Sequence, residues 1–495
     1  MESLTSLKPL LAVLVSLGVV PILISSPSAN VREAWTFGAA GLKFVLVLSM
    51  LPAVLEGREL VCTLAEVLPG VALRLRVDAL GMLFALVASS LWIITSAYSI
   101  GYMRGLKEHS QTRYYCFFAL ALSATIGAAF AANLFTLYLF YEMLSFATYP
   151  LVTHHQDAEA RRSGRKYLLY IVGGSIGLVL PAMVLAYHLS GTLEFSGQGF
   201  LPLSGSPVLL GVLLFMFVFG FAKAAIMPLH AWLPAAMVAP TPVSALLHAV
   251  AVVKVGVFSI LRILTGVFGL DLLASLHLGT AVAYVAALTI IVASLIALSQ
   301  NELKRLLAFS TIGQLSYIVL GAALLSPKGL MGGMVHIAMH AFGKITLFFC
   351  AGAIFVATGK KYLSEMAGIG KQMPVTMTAF FIGSLSIIGI PPGSGFLSKW
   401  YLVLGALQAD QFPLLLVILV SSLLNAAYFI PIVYRAFFVS SRDIAVPDTV
   451  SEAPIFCVAP LVVTALISLV LFVYPQPFLS LTELVVQTLL RGTGK

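Results

Sequence analysis

Charge is what this sequence has least of. Only 9% of its 495 residues are Asp, Glu, Lys or Arg, while 60% are hydrophobic, and a soluble domain carries about 25% charged residues. A water-facing surface cannot be built from so few charges, which excludes a soluble globular chain. Cysteine is almost as scarce. The four present (Cys62, Cys116, Cys350, Cys457) lie far apart with no CxxC spacing, so neither a disulfide framework nor a thiolate metal centre is indicated. There is no P-loop pattern and no dinucleotide-binding glycine fingerprint, hence no nucleotide or other cofactor site to expect. The net charge of +9 is not pooled in one patch, so nucleic acid is not an expected partner.

What remains is apolar sequence in membrane-length runs. Fourteen segments are readable: Leu7–Ile24, Trp35–Leu55, Leu80–Ser99, Tyr115–Ala131, Leu134–Val152, Tyr167–Tyr187, Val208–Pro228, Val243–Leu264, Leu278–Leu298, Leu306–Leu325, Met331–Ala357, Val375–Leu407, Pro413–Val433 and Ile455–Val473. They predict an all-α polytopic membrane protein with about fourteen transmembrane helices. The first is a poor secretory leader, because Glu2 accompanies a single Lys8. Between the second and third, Leu73-Arg74-Leu75-Arg76-Val77-Asp78 alternates with period two and predicts a short strand outside the membrane. Loops after odd-numbered segments hold 15 Lys and Arg, against 8 for the even loops, helix edges and tails. The positive-inside rule then places the odd loops in the cytoplasm of a cell inner membrane and both termini on the outer side.

Two segments are too long for single helices. Val208 to Val238 would run about 45 Å, beyond a hydrocarbon core of about 30 Å, and contains Pro228 and Pro234. Val375 to Leu407 contains Pro391 and Pro392. Proline removes a backbone donor and clashes with the preceding turn, so segments seven and twelve are expected to be broken at these prolines. Paired breaks point to an inverted-repeat transporter. The stretch Val243–Ala249 (VSALLHA) also reads like Val420–Ala426 (VSSLLNA), each after a broken segment. The expected organisation is a three-helix segment at 1–112, repeats of five helices at 113–265 and 278–438, and a final helix and tail at 439–495.

Five charges fall inside apolar segments: Glu142, Lys223, Lys254, Lys344 and Lys399. Each costs about 2.5–3.5 kcal/mol at a helix centre, and Lys254 lies too deep to snorkel. His336, His340 and Lys344 are spaced i, i+4, i+8 and share a helix face, a column able to pass protons through water. A metal site is not indicated there, because HxxxH brings no third ligand. His230 and His248 flank the Ala239-Pro240-Thr241-Pro242 turn as accessory candidates. Glu142 is the natural partner of Lys223. The pattern reads as a proton or cation pathway without naming the machine.

The block Phe221–His248 (FAKAAIMPLHAWLPAAMVAPTPVSALLH) resembles the signature of the antiporter-like subunits shared by respiratory complex I, energy-converting hydrogenases and Mrp-type sodium/proton antiporters. Arg76–Leu80, Tyr98–Tyr102, Leu303–Thr311, His340–Lys344 and Gly389–Lys399 match as well. The resemblance implies Glu142 and Lys223 as a controlling ion pair, Lys254 with His248 as a central relay, Lys344 with His336 and His340 continuing it, and Lys399 as the terminal site. Lys at 399, with little sequence after the fourteenth helix, is closest to the Mrp D type. The expected role is a proton-translocating subunit of a multisubunit Na+/H+ antiporter, beside other membrane subunits and the lipid bilayer. The alternative is a proton-pumping, non-redox subunit of a complex I-like oxidoreductase or an energy-converting hydrogenase.

Overall fold

A computed structural model describes residues 3–203, 205–439 and 450–491. Glu2, Arg442 and Lys495, which entered the leader and charge arguments, lie outside the described residues.

Every one of the fourteen apolar segments is helical. The first six form α1 (Lys8–Ser25), α2 (Ala29–Leu48), α3 (Ala79–Gly105), α4 (Gln111–Ala129), α5 (Leu134–Val152) and α6 (Ala158–Ser190). The seventh is split into α7a (Pro207–Gly220) and the short α7b (Trp232–Ala235). Next come α8 (Thr241–Phe268), α9 (Leu278–Leu298), α10 (Leu303–Ala323) and α11 (Pro327–Thr358). The twelfth is split into α12a (Pro374–Ile388) and α12b (Gly395–Gln408), followed by α13 (Phe412–Phe438), α14 (Ile455–Val473) and a further amphipathic helix, α15 (Gln476–Arg491). Among the described residues ten helices are long and apolar enough to cross a membrane, and α7a and α12a are shorter apolar helices.

Polar side chains set the helix starts, because the first backbone N–H groups of a helix have no partner of their own. Asp78 accepts from the Gly81 amide to begin α3, Asn133 from the Thr136 amide to begin α5, and Ser326 from the Gly329 amide to begin α11. Burial is graded across the molecule. The most apolar stretches of α8 and α10 are wholly enclosed, whereas only about a third of the corresponding stretches in α1, α2, α6 and α13 is covered. The outer helices therefore present apolar faces suited to lipid, and the inner ones make a protein-lined centre.

The strand expected at 73–78 is β3 (Val71–Val77), with Asp78 already a helix cap. It pairs antiparallel with β2 (Glu59–Leu68), and β2 pairs parallel with β1 (Ser3–Thr5). This small sheet joins the chain's start to the loop after the second segment, which places both at one end of the bundle. Asp78 also grips Arg262 at the far end of α8 with both carboxylate oxygens, at 2.6 and 2.7 Å.

The prolines do not all break what they were expected to break. Pro391 and Pro392 do lie between α12a and α12b. The seventh helix, however, ends at Gly220, well before Pro228. Pro234 sits inside α7b, in a first turn where its missing N–H is not needed.

A buried row of cations as the candidate functional site

Lys223 occupies the break itself. After α7a the backbone makes one tight turn, Ala222–Ala224, and enters the left-handed region at Ala225 (φ 55°). The turn is seated against α8 where Gly256 has no side chain; a Cβ there would meet Ala224 N at 2.2 Å. The buried ammonium donates to the Tyr141 carbonyl (2.7 Å) and Ser145 Oγ (2.6 Å) and lies 3.1 Å from the centre of the Tyr141 ring. Glu142 adjoins Tyr141 on α5. It forms no ion pair with Lys223 among the described residues, and its Oε1 has no hydrogen-bond partner. The lysine is held by hydroxyl and carbonyl oxygen instead.

The centre of the row also departs from expectation. Lys254, fully buried on α8, pairs with His340 of α11 (Nζ to Nδ1, 2.8 Å), not with His248. His248 lies in a wide i→i+5 turn, Leu246–Val250, and residues six apart do not share a helix face. Its ring instead lies 4.8 Å from Phe348, with both nitrogens unpartnered. The helical column holds, with the His336 and His340 rings 5.7 Å apart. His336 Nδ1 reaches Ser398 Oγ on α12b (2.7 Å). Lys344 leaves the column to donate to Ser310 Oγ (2.8 Å), which accepts in turn from Tyr428 OH (3.1 Å).

Lys399 stands at the second break as Lys223 stands at the first. It donates to the buried carbonyls that end α12a, Ile387 O (3.0 Å) and Ile388 O (2.9 Å), and to Ser422 Oγ (3.0 Å). Its ammonium lies 5.0 Å from the Tyr317 ring. Each broken helix thus offers a lysine to a tyrosine of another helix: Tyr141 on α5, Tyr317 on α10. Helix C-terminal carbonyls are a natural cation seat.

Sequence reasoning missed the oxygen partners (Tyr141, Ser145, Ser310, Ser398, Ser422, Tyr428), since Ser and Tyr are common in apolar helices. Lys43 was not among the candidates either. Lys43 is fully buried, donating to Leu122 O at 3.1 Å with its ammonium 5.1 Å from the Trp92 ring. Along the row, buried polar atoms of Glu142, Ser244, His248, Gln314, His336, His340 and Asn425 have no protein partner. Groups of this kind are met by ordered water, and water between them is what a proton needs to move.

On the face carrying the odd-numbered loops lies a cavity of about 930 Å³, lined among others by His230, Lys304, Glu108 and His155. His230 Nδ1 lies 3.2 Å from Pro228 O, and Lys304 donates to Ala239 O (2.6 Å) on the cavity wall. Loops after segments three, five, seven, nine and eleven all contribute to it, so they share one side of the membrane.

A multi-pass integral membrane protein with two broken helices and a row of buried lysines and histidines is the class defined by this architecture. The chain belongs to the NADH:quinone oxidoreductase/Mrp antiporter transmembrane family, whose model matches residues 131–425. It is 36% identical to NADH-quinone oxidoreductase subunit N of Desulforudis audaxviator over 72% of this chain and 71% of that protein. It is 30% identical to Na(+)/H(+) antiporter subunit A1 of Staphylococcus aureus over 87% of this chain, spanning only 56% of that longer protein. Its fold superposes on a chain of the Mrp complex from a Dietzia species (TM-score 0.86, 24% identity, 99% and 98% of the two chains). It superposes equally on a chain of an archaeal membrane-bound sulfane sulfur reductase (TM-score 0.86, 25% identity, 98% of each).

Proposed function

We propose that this chain is a proton-translocating membrane subunit of a multisubunit monovalent cation (Na+)/H+ antiporter of Mrp type. The observation that carries the reading is the buried row from Lys223 through Lys254, His340 and His336 to Lys344 and Lys399, in which each lysine is hydrogen-bonded to hydroxyl or carbonyl oxygen or to imidazole nitrogen rather than to a carboxylate. Lysine held by neutral partners loses its proton far more readily than lysine paired with carboxylate, so each site can empty and refill. Glu142 sets the occupancy of Lys223 by approaching or withdrawing. His248 and His230 supply the link to the cavity, through which protons arrive from the cytoplasmic side. The two five-helix units at 113–265 and 278–438 each contribute one half of the path, and Lys399 is its outer end, with both termini on the outer side of a cell inner membrane.

A second reading is favoured by the 36% identity to an NADH-quinone oxidoreductase subunit: the same path serving a redox-driven complex. In this reading the driving redox reaction lies in partner subunits, and in either reading protons are the ions carried by this chain. The test is reconstitution of the complete native complex in vesicles, with a pH-sensitive dye inside. Antiport predicts that a sodium gradient moves protons and that Lys223→Ala stops it. Proton movement that needs NADH, hydrogen or a quinone rather than sodium selects the second reading. Sodium- or redox-driven proton movement unchanged in Lys223→Ala, Lys254→Met and Lys399→Ala complexes removes the path from this chain.

A further inference from the structure

Four side chains that the proton row does not use converge at the cavity edge. The Glu108 carboxylate oxygen Oε2 lies 3.8 Å from His109 Nδ1, from His154 Nε2 and from His155 Nδ1. The ligand atoms of Glu108, His109 and His154 all fall within 4.8 Å of one another. His154 is fully buried, and neither of its ring nitrogens has a hydrogen-bond partner. At 3.8 Å the carboxylate is too far to serve as one. A buried imidazole left without a partner beside a carboxylate oxygen is costly, and a cation between the two removes the cost.

We propose that Glu108, His109 and His154 form a binding site for a divalent transition metal, Zn2+ by its chemistry, with the fourth position turned toward His155 or water. Two imidazoles and one carboxylate are a recurrent zinc ligand set, whereas Ca2+ and Mg2+ ask for oxygen donors. A tetrahedral zinc with bonds of about 2.0–2.1 Å spaces its donors about 3.4 Å apart, so each imidazole, now 3.8 Å from the carboxylate oxygen, needs to close on it by about 0.4 Å, and ligand atoms as far apart as 4.8 Å by up to about 1.4 Å. The nearest guanidinium, Arg113, donates to the His154 carbonyl (2.8 Å) and fixes the segment that carries two of the histidines. Because Glu108 and His155 also line the cavity, the metal would stand in its wall.

The test uses the untagged native complex, stripped with EDTA and titrated with Co2+, which reports its coordination by visible absorption. The expected result is one strongly absorbing, four-coordinate Co2+ per copy of this chain, displaced by Zn2+. That signal should vanish in Glu108→Gln and His154→Ala complexes. His109 is exposed at the surface, so His109→Ala keeps the fold and should weaken binding at least tenfold. No such band in the wild-type complex, or the same band in the His109→Ala and Glu108→Gln complexes, overturns the site.

Discussion

Lys254 and His340 show why a buried lysine need not be a passive cost. With their nitrogens 2.8 Å apart, one proton satisfies the pair on either side: the ammonium donates to the imidazole, or the imidazole donates to the amine. Lys254→Met removes one holder while keeping the volume, and His340→Ala removes the other. Each should lower ion-coupled proton transport more than tenfold in assembled complexes, measured as dye response per complex in vesicles. Ser145→Ala should be milder, a few-fold, because Lys223 keeps the Tyr141 carbonyl. Asp78 is a different kind of charge. Burial alone would raise its carboxyl, but the Arg262 guanidinium overcomes this and holds it below the usual aspartate range. A carboxyl lowered in the folded state stabilises above its unfolded pKa, and that contribution disappears as pH falls through the folded value. Asp78→Asn strands a buried guanidinium and should cost about 3–5 kcal/mol, seen as a lower Tm of the detergent-solubilised protein at neutral pH. Acidification from about pH 5 to pH 2 should narrow the gap between wild type and variant; a gap that is constant with pH would contradict the assigned pair.

At the scale of elements, the broken helices were legible and their geometry was not. Excess length with prolines announces a break, but proline constrains only the turn just before it, and α7a ends well upstream of Pro228. What ends it is tertiary: Tyr141 OH accepts the Lys223 amide (3.1 Å), and Gly256 lets the turn approach α8. Neither signal exists in a single segment's sequence. The same holds for His248, since one wide turn has no periodicity to read, and for Lys254, whose partner lies on another helix. The His336–His340 column was legible because it is local to α11. Likewise β3 alternates, while its partner β2 is exposed over most of its length and carries little pattern. The breaks make a sharp prediction. A Cβ at Gly256 meets the Lys223 turn, and one at Gly389 (φ 86°) meets Lys399 Cδ at 2.5 Å in a backbone region that disfavours side chains. Gly256→Ala and Gly389→Ala should each cost about 1–3 kcal/mol by overpacking and cut transport as strongly as loss of the lysine behind them. Alanine at Gly38, where a Cβ meets nothing within 4 Å, should change neither Tm nor transport.

Across the whole molecule, the charged row runs through the enclosed helices α8 and α11, and its ends stand at the two breaks. That arrangement separates two designs. If each half carried its own path, Lys223→Ala would silence one and leave roughly half the transport, Lys399→Ala would do likewise, and the double variant would lose the rest. If the halves form one path in series, either single change stops it, and the second adds nothing, because residues acting as a unit are not additive. The continuous bonding from Lys254 to His340, with His336 next on the same face and reaching Ser398 beside Lys399, favours the series. We therefore expect Lys223→Ala, Lys399→Ala and the double variant to show the same residual transport in vesicles at equal complex content. Half-activity in the single variants would instead assign one path to each repeat.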